Sequence, residues 1–549
     1  MNQILKTVVG GAAFLTACGG AQSFKEQNSQ IPVPTFRQDT VNIIDFGAVS
    51  GNFQTNTQSI NHAIDSLHQA GGGVVLIPAG VWESGPIKLK SDINLHLAKN
   101  ALLLFTKDFD QYPLIETSWE GIPQKRNQSP IWALNEKNIA ITGKGIIDGN
   151  GDAWRMVKKG KMTRSQWNKL VASGGHLNEK GDIWYPSESS LKGVENKDPG
   201  RITGDKPADF YQSIKDFLRP NMVLIEECEG VLLEGVTFQN SAAWNIHPLM
   251  SKNITIRDIN VRNPWYSQNG DGIDIESCQN VLLENSTFDV GDDAICIKSG
   301  RDEVGRERGM PTQDLWVKNC TVYHAHGGFV VGSEMSGGAK NLYVEDCTFI
   351  GTDIGLRFKT TRGRGGIVEN VYIKNIYMKD IPGEAILFDM YYEGTDPVAL
   401  IGERREPPKV EVKEVTEETP QFRNFEISNI ICDGAAKGVF IRGLPEMAIK
   451  NIELNNLKIQ AKEGIDIQEG NNIKIKNAWI EAESTLPLVY VLNGDQVVLD
   501  SLQYNQAQVF MHVQGDRSKN IEAKNSDHTK AEKILITDHG ANENLVKIN

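Results

Sequence analysis

The chain has 549 residues, 40% hydrophobic and 23% charged, with 52 glycines and 21 prolines. That balance suits a globular protein rich in tight turns and excludes a disordered one. The net charge of −13 excludes a nucleic-acid binder, because phosphate neutralisation needs a basic surface; an acidic ligand would have to be met by a local basic cluster.

In chain order, Lys6 precedes a short apolar run at 8–15, too short to span a bilayer. Leu15-Thr16-Ala17-Cys18 resembles a bacterial lipobox, which makes 1–18 a signal peptide and Cys18 the lipidated first residue of the mature protein. Ordinary cleavage after Ala21 is the alternative. Either reading exports the protein from a bacterial cell. The first gives a periplasmic or membrane-anchored lipoprotein that meets the membrane only through that anchor, the second a secreted soluble protein.

Residues 19–40 read as a polar tether, and 41–549 as one catalytic domain. Ile60, Ala63, Ile64 and Leu67 fall at i, i+3, i+4 and i+7, predicting a helix over 56–70 that Gly71-Gly72-Gly73 stops. Strand-like runs follow at 74–77, 87–89, 93–97 and 102–105.

The chain then repeats itself. Asn253-Ile-Thr-Ile, Asn280-Val-Leu-Leu, Asn341-Leu-Tyr-Val, Asn370-Val-Tyr-Ile, Asn424-Phe-Glu-Ile, Asn451-Ile-Glu-Leu and Asn472-Ile-Lys-Ile share one pattern. Asn138-Ile-Ala-Ile and Gly230-Val-Leu-Leu are earlier versions. Period-2 runs recurring every 20–30 or so residues describe a solenoid of short parallel strands; a propeller blade needs about 40 residues. The leading Asn is expected in a left-handed turn, and the helix over 56–70 is expected to cap the solenoid's open first coil. Two stretches break the period, 155–220 and 390–421, and read as long loop insertions. Cys228, Cys278, Cys296, Cys320, Cys347 and Cys432 form no CxxC pair, so neither zinc nor any other metal motif has support. They are expected as small buried side chains, not disulfides.

The chemistry gathers on one column of coils. Gly272-Ile-Asp-Ile-Glu276, Ala294-Ile-Cys-Ile-Lys298, Gly328-Phe-Val-Val-Gly332, Gly355-Leu-Arg-Phe-Lys359 and Ala385-Ile-Leu-Phe-Asp389 align. Their second and fourth positions are apolar and must face inward. Asp274, Glu276, Lys298, Arg357, Lys359 and Asp389 are then placed on one outer face. The turns just before these strands hold Asn269-Gly270-Asp271, Gly291-Asp292-Asp293 and Ala325-His326-Gly327. Asp271 and Asp292 are one coil apart, so three carboxylates and a histidine should line one groove. Clustered carboxylates raise the pKa of at least one of them, and an acid beside ionised carboxylates is what glycosidic cleavage needs.

These segments resemble glycoside hydrolase family 28, the polygalacturonases, and in particular a bacterial exo-acting member. The family's four motifs, Asn-Thr-Asp, Gly-Asp-Asp, Gly-His-Gly and Arg-Ile-Lys, stand here in order as 269–271, 291–293, 325–327 and 357–359. Asp45-Phe46-Gly47-Ala48, Gly71-Gly72-Gly73 and Ile147-Asp148-Gly149-Asn150-Gly151 extend the resemblance over most of the chain. Gly replaces Thr in the first motif, Ala replaces Gly in the third and Phe replaces Ile in the fourth, none of them a titrating group.

The resemblance implies an all-β fold, a right-handed single-stranded parallel β-helix with an N-terminal capping helix and long loop insertions. It implies an inverting hydrolase of α-1,4-linked galacturonic acid in pectin. Asp292 would be the general acid, Asp271 and Asp293 would hold and deprotonate the water, and His326 would assist the acid. Asn269, Lys298, Arg357, Lys359 and Tyr392 would contact or orient the substrate, with Tyr391 as a rival for the last role. An inverting pair is expected about 6.5–9.5 Å apart. No cofactor and no metal is expected. The partner is an acidic polysaccharide or oligosaccharide, with the protein a monomer.

The four basic residues Arg357, Lys359, Arg362 and Arg364, and less so Arg301, Arg306 and Arg308, point the same way. The two insertions are long enough to wall off one end of a groove, which favours exo action. The alternatives are a rhamnogalacturonan or xylogalacturonan hydrolase of the same fold, a pectate lyase, and a non-catalytic polysaccharide-binding β-helix.

Overall fold

The computed structural model describes residues 31–52, 56–202, 206–392 and 411–549. Cys18 and the signal segment lie outside the described residues, as do 393–410 of the second insertion. Among the described residues no helix is long and apolar enough to cross a membrane. Residues 31–39, at the end of the expected tether, carry no regular structure; Pro34 is nevertheless buried, and Arg37 donates to Ala70 O at 2.9 Å.

Parallel strands then wind into a right-handed β-helix, the hand a right-twisted strand imposes on a parallel crossover. Each coil contributes a strand to three long sheets. The groove sheet runs through Ile131–Leu134, Val223–Glu226, Ile246–Leu249, Ile273–Glu276, Ile295–Lys298, Ala325–Val331 and Thr352–Lys359. The second sheet runs through Glu229–Glu234, Lys252–Arg257, Gln279–Glu284 and Thr312–Lys318 and on through Ala339–Ile350. The third holds shorter strands such as Asn260–Arg262 and Thr287–Asp289.

The inward positions are those the alternation predicts. Ile273, Ile275, Ile295, Ile297, Phe329, Val331, Leu356, Phe358, Ile386 and Phe388 are all fully buried. Each such side chain contributes about 1.5–3 kcal/mol. Phe358 stacks on Phe388 at 4.5 Å and meets Phe425 edge-on at 4.9 Å, so the Phe in the fourth motif is a packing residue.

The repeated asparagines are turn residues, as expected. Asn253, Asn280, Asn341, Asn370, Asn424, Asn451 and Asn472 all have φ between 53° and 60°, the left-handed region that Asn tolerates. Their side chains also form a ladder. Asn280 donates to Asn253 at 3.0 Å, Asn451 to Asn424 at 2.9 Å and Asn472 to Asn451 at 2.9 Å. The six described cysteines are buried and unpaired.

Helix Thr57–Gln69 carries the expected stripe, with Ile60, Ala63, Ile64 and Leu67 buried in the main core beside the first strands. The 155–220 insertion has more order than its polar composition suggests, with a three-stranded sheet (Val157–Lys158, Ile183–Tyr185 and His176–Leu177) and helices Arg164–Ala172 and Ala208–Ser213. One element went unforeseen. Leu114–Trp119 and Ile122–Asn127 form an antiparallel hairpin that leaves the coil and crosses the groove sheet.

Candidate active site

Adjacent coils stack their turns about 4.8 Å apart, and this repeat builds the site. Asp271 ends one such turn and Asp292 and Asp293 end the next, and one oxygen of each lies within 4.8 Å of the others. This is closer than the 6.5–9.5 Å expected of an inverting pair. The reason is geometric: Asp292 and Asp293 are consecutive in one turn, and Asp271 lies a single coil rise away.

The three differ in surroundings. Asp293 is buried, and both its oxygens are taken: Lys359 Nζ donates to Oδ2 at 2.7 Å and Arg357 Nη1 to Oδ1 at 3.1 Å. Burial pushes its pKa up, but the two cations outweigh burial and hold it below the usual carboxylate range. Asp271 is also buried, and its Oδ1 has no hydrogen-bond partner among the described residues. Burial pushes it well above the usual range, and Asp274 and Asp292 push the same way. Asp292 is the most open of the three, with 22% of its side chain exposed. His326 Nδ1 donates to Asp292 Oδ1 at 3.0 Å, and this bond raises the imidazole pKa against burial.

Arg357 and Lys359 stand one coil beyond His326, and Tyr392, after the next strand, joins them. Lys359 Nζ lies 4.6 Å from the Tyr392 ring centre and Arg357 5.7 Å. Tyr391 turns away, between Arg362 and Arg442. Asn269 accepts from Arg219 Nη2 at 2.9 Å. A side chain at Gly270 would collide with Ser267 Oγ, which accounts for Gly where the family motif has Thr.

The outer face differs from expectation. Asp274, Glu276, Lys298 and Lys359 point out from the coil yet are 0–5% exposed. Neighbouring side chains cover them: Trp244 lies over Lys298, His247 and Arg308 over Glu276, and Tyr392 over Lys359. Trp119 stacks on Trp244 at 5.8 Å, with Arg126 over Trp119 at 3.6 Å. Lys298 Nζ donates to Glu334 at 2.7 Å, sits 3.7 Å from Asp274 and lies 5.0 Å from the Trp244 ring centre. It belongs to a buried charge cluster beneath the groove. His247 Nε2 meets Glu276 at 2.9 Å and Arg308 Nη1 donates to the same carboxylate at 2.7 Å. Burial would raise Glu276, but these two partners hold it at about 2.

The basic loops are also more committed than their sequence suggests. Arg362 pairs with Glu446, Arg364 with Asp302, Arg301 with Glu120 and Arg308 with Glu276. Arg357, Lys359 and His326 remain the basic groups grouped around the aspartates.

Sequence reasoning missed Glu120, Arg219, Trp244, His247 and Glu334. One signal was present: Glu120-Gly121 sits between two short alternating runs, the pattern of a two-residue hairpin turn. The other four carry no local mark.

Residues 158–421 match the model of glycosyl hydrolases family 28, a span holding all four motifs. A probable polygalacturonase of Vitis vinifera is 30% identical over 62% of this chain and 61% of its own length. An exo-poly-alpha-D-galacturonosidase of Dickeya chrysanthemi is 28% identical over 67% of this chain and 60% of its own. The chain thus spans about six-tenths of the length of these curated relatives. The crystal structure of a hyperthermoactive exopolygalacturonase from Thermotoga maritima superposes with a TM-score of 0.65 at 29% identity, covering 88% of this chain and 95% of that one. The resemblance to family 28, and to its exo-acting members, is therefore found by sequence and by structure alike.

Proposed function

We propose that this protein is an exported glycoside hydrolase that cleaves α-1,4-linked galacturonic acid in pectin, inverts the anomeric carbon and works from the chain end. The observation that carries the reading is the grouping of Asp271, Asp292 and Asp293 within 4.8 Å, with His326 on Asp292 and Arg357, Lys359 and Tyr392 beyond it. Asp292 donates the proton to the leaving oxygen. It is the open member of the trio and the one that His326 contacts. Asp271 and Asp293 hold the attacking water and take its proton, and Asp271 Oδ1 is available to accept from that water. The reaction starts from the form with the proton on Asp292. Arg357, Lys359 and Tyr392 take the uronate beside the scissile bond, Asn269 orients its neighbours, and Lys298 fixes the floor of the groove.

The short carboxylate spacing favours a second reading, a retaining enzyme with a covalent intermediate. One feature argues against it: a carboxylate clamped by two cations, as Asp293 is, makes a poor nucleophile. Proton NMR of the first-formed product decides: the β-anomer supports inversion and the α-anomer overturns it.

Exo action is supported by the hairpin across the groove sheet. The expected 155–220 wall serves as its buttress: Gln124 Nε2 donates to Gly200 O at 3.0 Å, and Asn127 Nδ2 to Lys215 O at 2.7 Å and Leu218 O at 2.8 Å. Monomeric function, closure of the first coil by helix Thr57–Gln69 and export through a lipidated Cys18 complete the reading.

The test is product analysis on polygalacturonate, with and without chelator, following reducing ends, ultraviolet absorbance and product size. Saturated monomer or dimer formed in chelator is the expected result. An unsaturated, absorbing product would mean a lyase, and no product would direct the assay to branched pectins.

A further inference from the structure

The hairpin tip makes a specific connection that a mere wall does not need. Glu120 and Gly121 both take the left-handed conformation, φ 47° and 76°, the signature of a tight two-residue turn. Gly121 is packed against the far side of the groove. A Cβ there would lie 2.6 Å from Arg301 N and 2.8 Å from Gly300, and Arg301 N donates to Gly121 O at 3.4 Å. The tip therefore touches the loop that follows Lys298. Glu120 completes the crossing with its side chain. Arg301 Nη1 donates to its Oε2 at 3.2 Å, and Asn269 Nδ2 to its Oε1 at 3.5 Å. Asn269 opens the motif that ends in Asp271, so one carboxylate ties both banks of the groove together two residues from the trio.

We propose that Glu120 is the residue that selects the free end of the polysaccharide. Held by Arg301 and Asn269, its carboxylate accepts hydrogen bonds from the free hydroxyls of the terminal galacturonate. A chain that continued past that sugar would meet the hairpin backbone and would bring a second carboxylate against Glu120. The neutral terminal hydroxyls fit where a further uronate is repelled. This inference rests on the exo-galacturonanase reading and adds to it the group that enforces the end. Glu120 is a specificity residue, not a proton-transfer group. It partners Asn269 on the groove bank, whereas His326 and Arg357 partner Asp292 and Asp293.

The test compares the wild type with Glu120→Gln, Glu120→Ala and Gly121→Val on digalacturonate, trigalacturonate and polygalacturonate. Viscosity loss is followed against reducing ends, and each variant's fold is checked by its melting transition. Glu120→Ala is expected to raise KM for the short oligomers about tenfold, the weight of one charge-assisted hydrogen bond, with kcat little changed. Glu120→Gln keeps the shape and should recover part of that KM. Gly121→Val lifts the tip and should increase viscosity loss per bond cleaved. Should Gly121→Val fail to fold, Glu120→Ala still decides through the KM and kcat split. Folded variants with wild-type KM and the wild-type viscosity ratio would overturn the proposal. A wild type that cleaves internally would instead overturn the exo reading, and one that cleaves nothing the hydrolase reading.

Discussion

Two sheets of the same solenoid carry the same kinds of charged residue and use them differently. On the second sheet, Glu234–Arg257, Glu284–Lys318 and Glu345–Lys374 form ion pairs coil to coil, with side chains 14–42% exposed. They decorate a ladder that the core and the asparagine turns already hold. On the groove sheet, Lys298–Glu334 and Lys359–Asp293 are buried, with side chains 2–11% exposed, so that each ion depends on its partner. Exposed pairs contribute about 0–1 kcal/mol, whereas removing one member of a buried pair costs about 3–5 kcal/mol. Identical chemistry becomes function only where the fold excludes water.

The largest effect that sharpens this contrast belongs to the open carboxylate. Asp292→Asn should lower kcat by about 10²–10⁴-fold while oligogalacturonate binding, followed calorimetrically, persists; near-normal turnover would refute the acid assignment. Next comes the floor of the groove. Lys298→Met should cost about 3–5 kcal/mol in urea unfolding, because Asp274 is left buried without its cation and Glu334 keeps only Arg364, at 3.9 Å. A cost below about 1 kcal/mol would place Lys298 with the surface pairs.

A third prediction concerns pH. The Asp292 partner raises the His326 pKa, so their attraction is fully present below the ordinary histidine value, about 6.5, and is lost as pH rises through the raised one. Activity should therefore fall on an alkaline limb lying above that ordinary value, and His326→Gln should remove the limb; an unchanged profile would exclude histidine as its source. Smaller still, Asn370→Ala places a Cβ-bearing residue that lacks Asn's polar side chain at φ 56°. It should cost about 1–2 kcal/mol, read from the thermal midpoint, with Asn370→Gly costing less. The smallest effect is expected for Lys318→Met on the second sheet, under about 1 kcal/mol; a larger loss would break the comparison from its other side.

Much of this was legible in the sequence, because it is local. Alternation along a strand decides which side chains enter the core, and Phe358 was placed inward on that basis alone. The left-handed preference of Asn marks each turn. The order of Asp271, Asp292, Asp293, His326, Arg357 and Lys359 along successive coils brings them to one groove, since a solenoid converts sequence period into spatial column.

What the tertiary structure decided lies between distant segments. Glu120 reaches Arg301 across 181 residues and Asn269 across 149, separations that no local pattern records. Burial of Lys298 and Glu276, the pairing of Arg362 and Arg364 with distant acids, and the short carboxylate spacing follow from what packs over the coil and from how closely coils stack. Periodicity tells a side chain which way to point; only the packed neighbours determine whether it then meets water, an ion or a sugar.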